Sequence, residues 1–131
     1  MSIRTAAHLV FDARARIENL SPAAVAEEME RGDVLLVDLR EPEECRHRGG
    51  IPGAIHAPRG MLEFFADPTS AYYRAEFDPD QRTVLYCAGG GRSALAADML
   101  QALGYTRVAY LDGGLTAWRD AGLTTEPGES D

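Results

Sequence analysis

Thr83-Val84-Leu85-Tyr86-Cys87-Ala88-Gly89-Gly90-Gly91-Arg92-Ser93-Ala94-Leu95-Ala96 is the stretch that decides the fold. A short apolar run ends at a cysteine, three glycines turn the chain, and a helical pattern begins. Leu95, Ala96, Met99, Leu100 and Leu103 recur at helical spacing from Ser93 to Leu103, and Gly104 closes the helix. Strand, tight turn and helix in that order form half of a parallel βαβ unit. Working upstream, Val34-Leu35-Leu36-Val37 ending at Asp38 reads as another strand buried on both faces. A glycine- and proline-dense turn (residues 48–53) leads into a short strand around Ala54 to Ala57. Downstream, Val108-Ala109-Tyr110-Leu111 is a strand, Asp112-Gly113-Gly114 a turn, and Leu115 to Ala121 a last helix with Trp118. The spacing predicts a first helix from Thr5 to Asn19. Ser21-Pro22 opens a second, as N-cap and first helical residue, that stops near Gly32. Met61, Leu62, Phe64 and Phe65 suggest a short helix in the mixed segment 60–82. The expectation is an α/β fold: an open sheet with helices on both faces. Residues 1–20 form an N-terminal helical extension, 21–123 the domain, and 124–131 a polar tail that frays. In such sheets ligands bind beyond the carboxyl ends of the strands, which is where Cys87 lies.

With 131 residues there is room for one domain. The net charge of −8 argues against a nucleic-acid partner or an anionic membrane surface, both of which want a basic face. No apolar run spans a bilayer and no signal peptide is read, so the expected location is the cytoplasm. Two cysteines, Cys45 and Cys87, read as free thiols, not a disulfide framework. With His8, His47 and His56 they show no ligand spacing of a structural zinc site, so neither metal nor cofactor is expected.

The chemistry rests on residues 87–93. Three glycines let successive N–H groups turn inward as an anion-binding nest, the next helix adds its positive end, and Arg92 adds a full charge. A cysteine at the rim of this cradle is expected to exist largely as thiolate, the nucleophilic form. The same donors would hold a persulfide anion or a leaving group. A lone cysteine at a strand end is more often a small buried hydrophobe. The ordered combination of strand, cysteine, three glycines, arginine and helix is much more specific.

The chain resembles the rhodanese superfamily over nearly everything after residue 20. Asp38-Leu39-Arg40-Glu41-Pro42 is similar to the family's Asp-x-Arg-Glu segment. Gly50-Ile51-Pro52-Gly53-Ala54 resembles its Gly-His-Ile-Pro-Gly-Ala signature, with Gly50 where the family has histidine. Cys87 to Ser93 resembles the active loop, and Leu111-Asp112-Gly113-Gly114 with Trp118 the closing Gly-Gly-x-x-x-Trp motif. The resemblance implies a five-stranded parallel sheet and a sulfurtransferase. A small donor of the thiosulfate or 3-mercaptopyruvate type would load Cys87 as a persulfide. A thiol, cyanide or a protein acceptor, thioredoxin-like among others, would discharge it. Cys87 and Arg92 are then the catalytic residues, and the amides of Ala88, Gly89, Gly90, Gly91 and Ser93 bind substrate. The alternative is a carrier or protein-binding module without turnover. Family phosphatases place the arginine six positions after the cysteine; Arg92 lies five after Cys87, which suits sulfur. Thiosulfate-preferring members carry basic side chains inside the loop, whereas residues 88–91 are neutral and small, so the donor stays open.

Supporting roles fall to Asp38, Arg40 and Arg59. The resemblance implies that Asp38 organises the site by pairing with an arginine, Arg92 being the first choice; the other reading is a cap or turn residue. Arg40 and Glu41 read as a scaffold ion pair. Arg59 is either a second positive charge for the site or a solvated surface residue. Cys45 reads as incidental ahead of a resolving thiol, His56 as structural, and His47 as a surface residue. Phe64, Phe65, Tyr72 and Tyr73 cover a core edge, with an apolar wall beside Cys87 as the second reading.

Overall fold

The computed structural model describes residues 3–129. In chain order the elements are α1 (Ala6–Arg16), β1 (Glu18–Leu20), α2 (Pro22–Arg31), β2 (Val34–Asp38), α3 (Pro42–Arg48), β3 (Ile55–His56), α4 (Leu62–Ala66), β4 (Arg82–Tyr86), α5 (Gly91–Leu103), β5 (Val108–Leu111) and α6 (Gly114–Asp120). A 3₁₀ turn, Arg59–Met61, precedes α4. The five strands form one sheet in the order β1-β5-β4-β2-β3, and every pairing is parallel. This is the α/β architecture expected from the sequence.

Side chains alternate across the sheet with the period of two that a strand imposes. Val37, Leu85, Val108 and Tyr110 face one core with α5 residues Ala94, Ala97 and Leu100 and with Leu62 and Ala66 of α4. Leu36, Val84, Tyr86, Ala109 and Leu111 face the other, with Val25 of α2 and Leu115 and Trp118 of α6. Both faces are covered, which is why the strands read as continuous apolar runs instead of alternating ones.

Two segments differ from the reading of the sequence. The first helix stops at Arg16 and does not reach Asn19; Ile17 is extended, and Glu18–Leu20 pair with Ala109–Leu111 as the edge strand. The Asn19 amide donates to the Arg14 and Ile17 carbonyls, which satisfies the helix end and turns the chain toward the sheet. Three residues are too few to show a periodicity. The polar segment from Thr124 to Glu129 is held in place where fraying was expected. Glu126 forms an antiparallel bridge with Gly50, donating to its carbonyl at 2.7 Å and accepting from its N–H at 3.1 Å. The Glu129 N–H reaches the Arg46 carbonyl, and the Trp118 indole N–H reaches the Thr124 carbonyl. Residues 130 and 131 lie outside the described residues.

Among the described residues, no helix is long and apolar enough to cross a membrane.

Candidate active site

Strand β4 delivers Cys87 to the carboxyl edge of the sheet, and helix α5 starts four residues later. The loop between them closes on the sulfur. The Gly90 N–H donates to Cys87 Sγ at 3.1 Å, and Ser93 Oγ lies 3.4 Å from the same atom. Gly90 has φ +109, a left-handed conformation that glycine adopts without steric cost, and it serves as the N-cap of α5. The first helical hydrogen bond is Ala94 N–H to the Gly90 carbonyl. The amides of Gly91, Arg92 and Ser93 therefore have no carbonyl partner within the helix, as in any first turn.

A second helix end steadies the loop from beneath. The amides of Leu115 and Thr116, in the first turn of α6, donate to the carbonyls of Cys87 (2.9 Å) and Ala88 (3.1 Å). This close approach explains the glycine pair before α6. A Cβ at Gly114 would stand 2.5 Å from the Cys87 carbonyl oxygen and 2.6 Å from that of Ala88, and φ there is +61. The Cys87 side chain is not at the rim of the cradle: the residue is 1% exposed and forms its floor.

The polar partners differ from those expected. Asp38 pairs with Arg40, not Arg92: Nε reaches Oδ1 at 3.0 Å and Nη2 reaches Oδ2 at 2.7 Å, both residues being buried. The Arg40 backbone N–H adds a third bond to Oδ1, and the Tyr86 hydroxyl donates to Oδ2 at 2.9 Å. Burial alone would raise the Asp38 carboxyl, but the Arg40 side-chain and backbone bonds outweigh it and hold it below its ordinary value. Arg40 therefore pairs across two residues of its own strand end, and not with Glu41, which is the N-cap of α3. Tyr86 takes part in the same cluster, accepting from the Ile51 N–H at 3.1 Å. Its hydroxyl lies 3.1 Å from where a Cβ at Gly50 would stand, with Arg40 Nη2 at 3.0 Å. The space beside the glycine that departs from the family signature is thus filled by Tyr86 and Arg40.

Arg92 turns to Glu44 on α3, a residue the sequence did not single out. The contact is a two-point fork, Nη1–Oε2 at 2.8 Å and Nη2–Oε1 at 2.9 Å. Hydrogen bonding from Arg92 holds the Glu44 carboxyl down to about 2. The Arg92 guanidinium is correspondingly raised, first by Glu44 and to a smaller degree by Cys87. Glu44 also accepts from the Glu41 N–H at the start of α3. Nothing in the sequence links Glu44 to an arginine 48 positions away.

Arg59 pairs with Glu63 one helical turn on, at 2.9 Å. Cys45 is half-buried, with Sγ 3.5 Å from Asp38 Oδ2. Burial, then Asp38, push its thiol up to about 11, so it stays protonated. His56 is tied by its Nε2 to the Arg40 carbonyl at 2.6 Å. Phe64 and Tyr72 form an exposed edge-to-face pair. Among the described residues no group of three or more His, Cys, Asp or Glu could hold a metal ion.

The rhodanese-like domain family matches residues 21–121. The chain belongs to that family. A sulfurtransferase of Allochromatium vinosum is 38% identical over 91 residues, covering 70% of this chain and 77% of its own length. A thiosulfate sulfurtransferase of Pseudoalteromonas translucida is 31% identical over 79% of this chain and 90% of its own. Among solved structures, a Rhodopseudomonas palustris protein of unknown function, described as a possible tyrosine phosphatase, is 43% identical with a TM-score of 0.89. It covers 96% of this chain and 98% of its own. The motifs that resemble the family's thus meet at one place: the turn at Gly113-Gly114 leads into amides that hold the loop after β4, and Asp38-Leu39-Arg40 begins at the end of the neighbouring strand β2.

Proposed function

We propose that this rhodanese domain is a sulfurtransferase in which Cys87 carries sulfane sulfur as a persulfide. The observation that carries the reading is Cys87 Sγ on the Gly90 amide, on the floor of a loop whose remaining amides begin α5. The sulfurtransferase relatives point the same way. In the first half-reaction Cys87, as thiolate, attacks the transferable sulfur of a small donor, the outer sulfur of thiosulfate or the thiol sulfur of a 3-mercaptopyruvate type, whose S–S or C–S bond breaks. The Sγ–S bond forms while the donor's bond to that sulfur breaks, and the electron pair leaves with the donor remnant. The amides of residues 88–93 stabilise the persulfide, and Arg92 supports the developing charge. In the second half-reaction an acceptor thiolate or cyanide takes the outer sulfur and Cys87 returns. No cofactor enters either step.

A phosphatase reading comes from the Rhodopseudomonas relative. The spacing favours sulfur: Arg92 closes the loop five residues after Cys87, leaving a smaller ring than family phosphatases use for tetrahedral phosphate.

Mass spectrometry of the protein after exposure to thiosulfate or 3-mercaptopyruvate tests the reading. The expected result is one added sulfur on Cys87, discharged by cyanide or a thiol, with no loading in Cys87→Ser. Loading only from a persulfidated partner protein would make the domain a carrier. Hydrolysis of p-nitrophenyl phosphate without sulfur loading would overturn the reading.

A further inference from the structure

Helix α3 brings Glu44 to Arg92, yet little anchors it to the body of the protein. None of its seven described residues is buried, and none belongs to either apolar core. Isolated helices shorter than ~12–15 residues are marginal in water, so polar contacts must hold this one. On its inner side these are the Glu44 fork on Arg92, the Cys45 thiol 3.5 Å from Asp38 Oδ2, and Arg40 Nη2 on the Gly49 carbonyl at 2.5 Å.

The segment after α6 supplies the outer side. The Glu129 N–H donates at 2.8 Å to the carbonyl of Arg46, in the last turn of α3, where carbonyls have no partner within the helix. Glu126 exchanges two hydrogen bonds with Gly50, at 2.7 and 3.1 Å, just beyond the same helix end. Backbone meets backbone closely here. A Cβ at Gly49 would overlap the Glu126 carbonyl, and one at Gly128 would overlap the His47 carbonyl. Beneath the contact, Cys45, Gly50, Tyr86, Glu126 and Pro127 line a small cavity. The segment lies beyond residues 21–121, so the matched domain does not itself supply this support.

We propose that residues 124–129 form a latch for α3: closed, it fixes the helix whose Glu44 holds Arg92, and its release frees Arg92 to face Cys87. The device is conformational and needs no sulfur donor, so it goes beyond the sulfur-transfer reading. Closing the latch fixes a few residues against three backbone hydrogen bonds, each of modest net strength, so it opens by local unfolding while the sheet stays intact.

The test removes residues 126–131 and keeps Thr124, whose carbonyl accepts from the Trp118 indole. Amide exchange of α3 should quicken about tenfold or more, as the loss of those bonds gives, while β4 and β5 keep their protection. Gly128→Ala should act alike in the full chain, because its methyl meets the His47 carbonyl. Alkylation of Cys87 by iodoacetamide at pH 7, followed by peptide mass spectrometry that separates it from Cys45, reads the coupling to Arg92. The truncation and Glu44→Gln should each speed it about tenfold, the gain from one opposite charge made available to the thiolate. Combined, they should do no more than either alone. Unchanged exchange in α3, or equal loss of protection in β4 and β5, overturns the latch. Additive gains in alkylation, or none from the truncation, overturn its link to Arg92. Failure of every donor to load Cys87 would remove the sulfur-transfer reading and leave these outcomes to decide the latch.

Discussion

The two sides of Cys87 are built from different materials. The loop side is backbone: the Gly90 amide on the sulfur, the first turn of α5 behind it, and the Leu115 and Thr116 amides below. The α3 side is made of side chains: Asp38 with Arg40 and Tyr86, and Glu44 with Arg92. A backbone wall depends on where glycines permit the chain to turn, and it tolerates any side chain that does not intrude. A side-chain wall depends on which partners meet, and a change in one member redistributes the others. Here Asp38 has taken the arginine two residues away, and Arg92 has taken a glutamate from another element.

The largest effect on stability is expected from breaking the side-chain wall at its most buried point. Arg40→Leu removes both ion-pair bonds and leaves the Asp38 carboxylate buried with only the Arg40 backbone N–H, Tyr86 and the Cys45 thiol as donors. Losing one member of such a pair costs about 3–5 kcal/mol, so thermal unfolding should show a fall of at least about 10 °C. Asp38→Leu/Arg40→Leu should recover part of the loss, because no charge is left stranded. A double variant no better than Arg40→Leu would mean that the pair contributes through geometry instead of charge compensation.

The backbone wall breaks differently, by crowding. Gly114→Ala places a methyl 2.5 Å from the Cys87 carbonyl oxygen, so the loop must move. Overpacking and a positive φ together should cost about 2–3 kcal/mol and reduce sulfur loading of Cys87 in the same protein. Gly32→Ala is the control. That residue also has a positive φ, +88, but nothing lies within 4 Å of the added carbon. It should cost about 1 kcal/mol and leave loading intact. Equal effects at the two positions would show that conformation alone, and not contact with the loop, requires glycine at 114.

The same division explains what could be read in advance. Strand β4, the turn and α5 are contiguous, and their pattern of apolar run, glycines and helical periodicity is local, so the sheet and the loop were legible together. The Gly113-Gly114 turn was legible as a turn, though not as a support for Cys87. Strand β1 was absorbed into the preceding helix because three residues carry no period and the Asn19 side chain makes the break. The fork between Arg92 and Glu44 and the bridge between Gly50 and Glu126 join residues 48 and 76 positions apart. Their pairing is set only when α3, α5 and the segment after α6 come together, and charge complementarity alone could not choose Glu44 over Asp38 for Arg92.

The smallest expected effect tests whether the Arg92–Glu44 fork holds the two walls together. The Glu44 carboxyl sits at about 2, below the ordinary value of 4.5. A depressed folded-state value means that the carboxylate stabilises the fold fully above about pH 4.5, and that this contribution is lost as pH falls through about 2. The Glu44 side chain is a third exposed, so solvent screening limits the contribution to about 1 kcal/mol. Urea unfolding of wild type and Glu44→Gln at a series of pH values should therefore show a gap of about that size at pH 7, closing toward zero near pH 2. Acid sensitivity from Asp38 is common to both proteins and cancels in the difference. A gap that stays constant across the range would assign the effect of Glu44 to its bond with the Glu41 N–H at the start of α3, which glutamine preserves only in part, and not to its charge on Arg92.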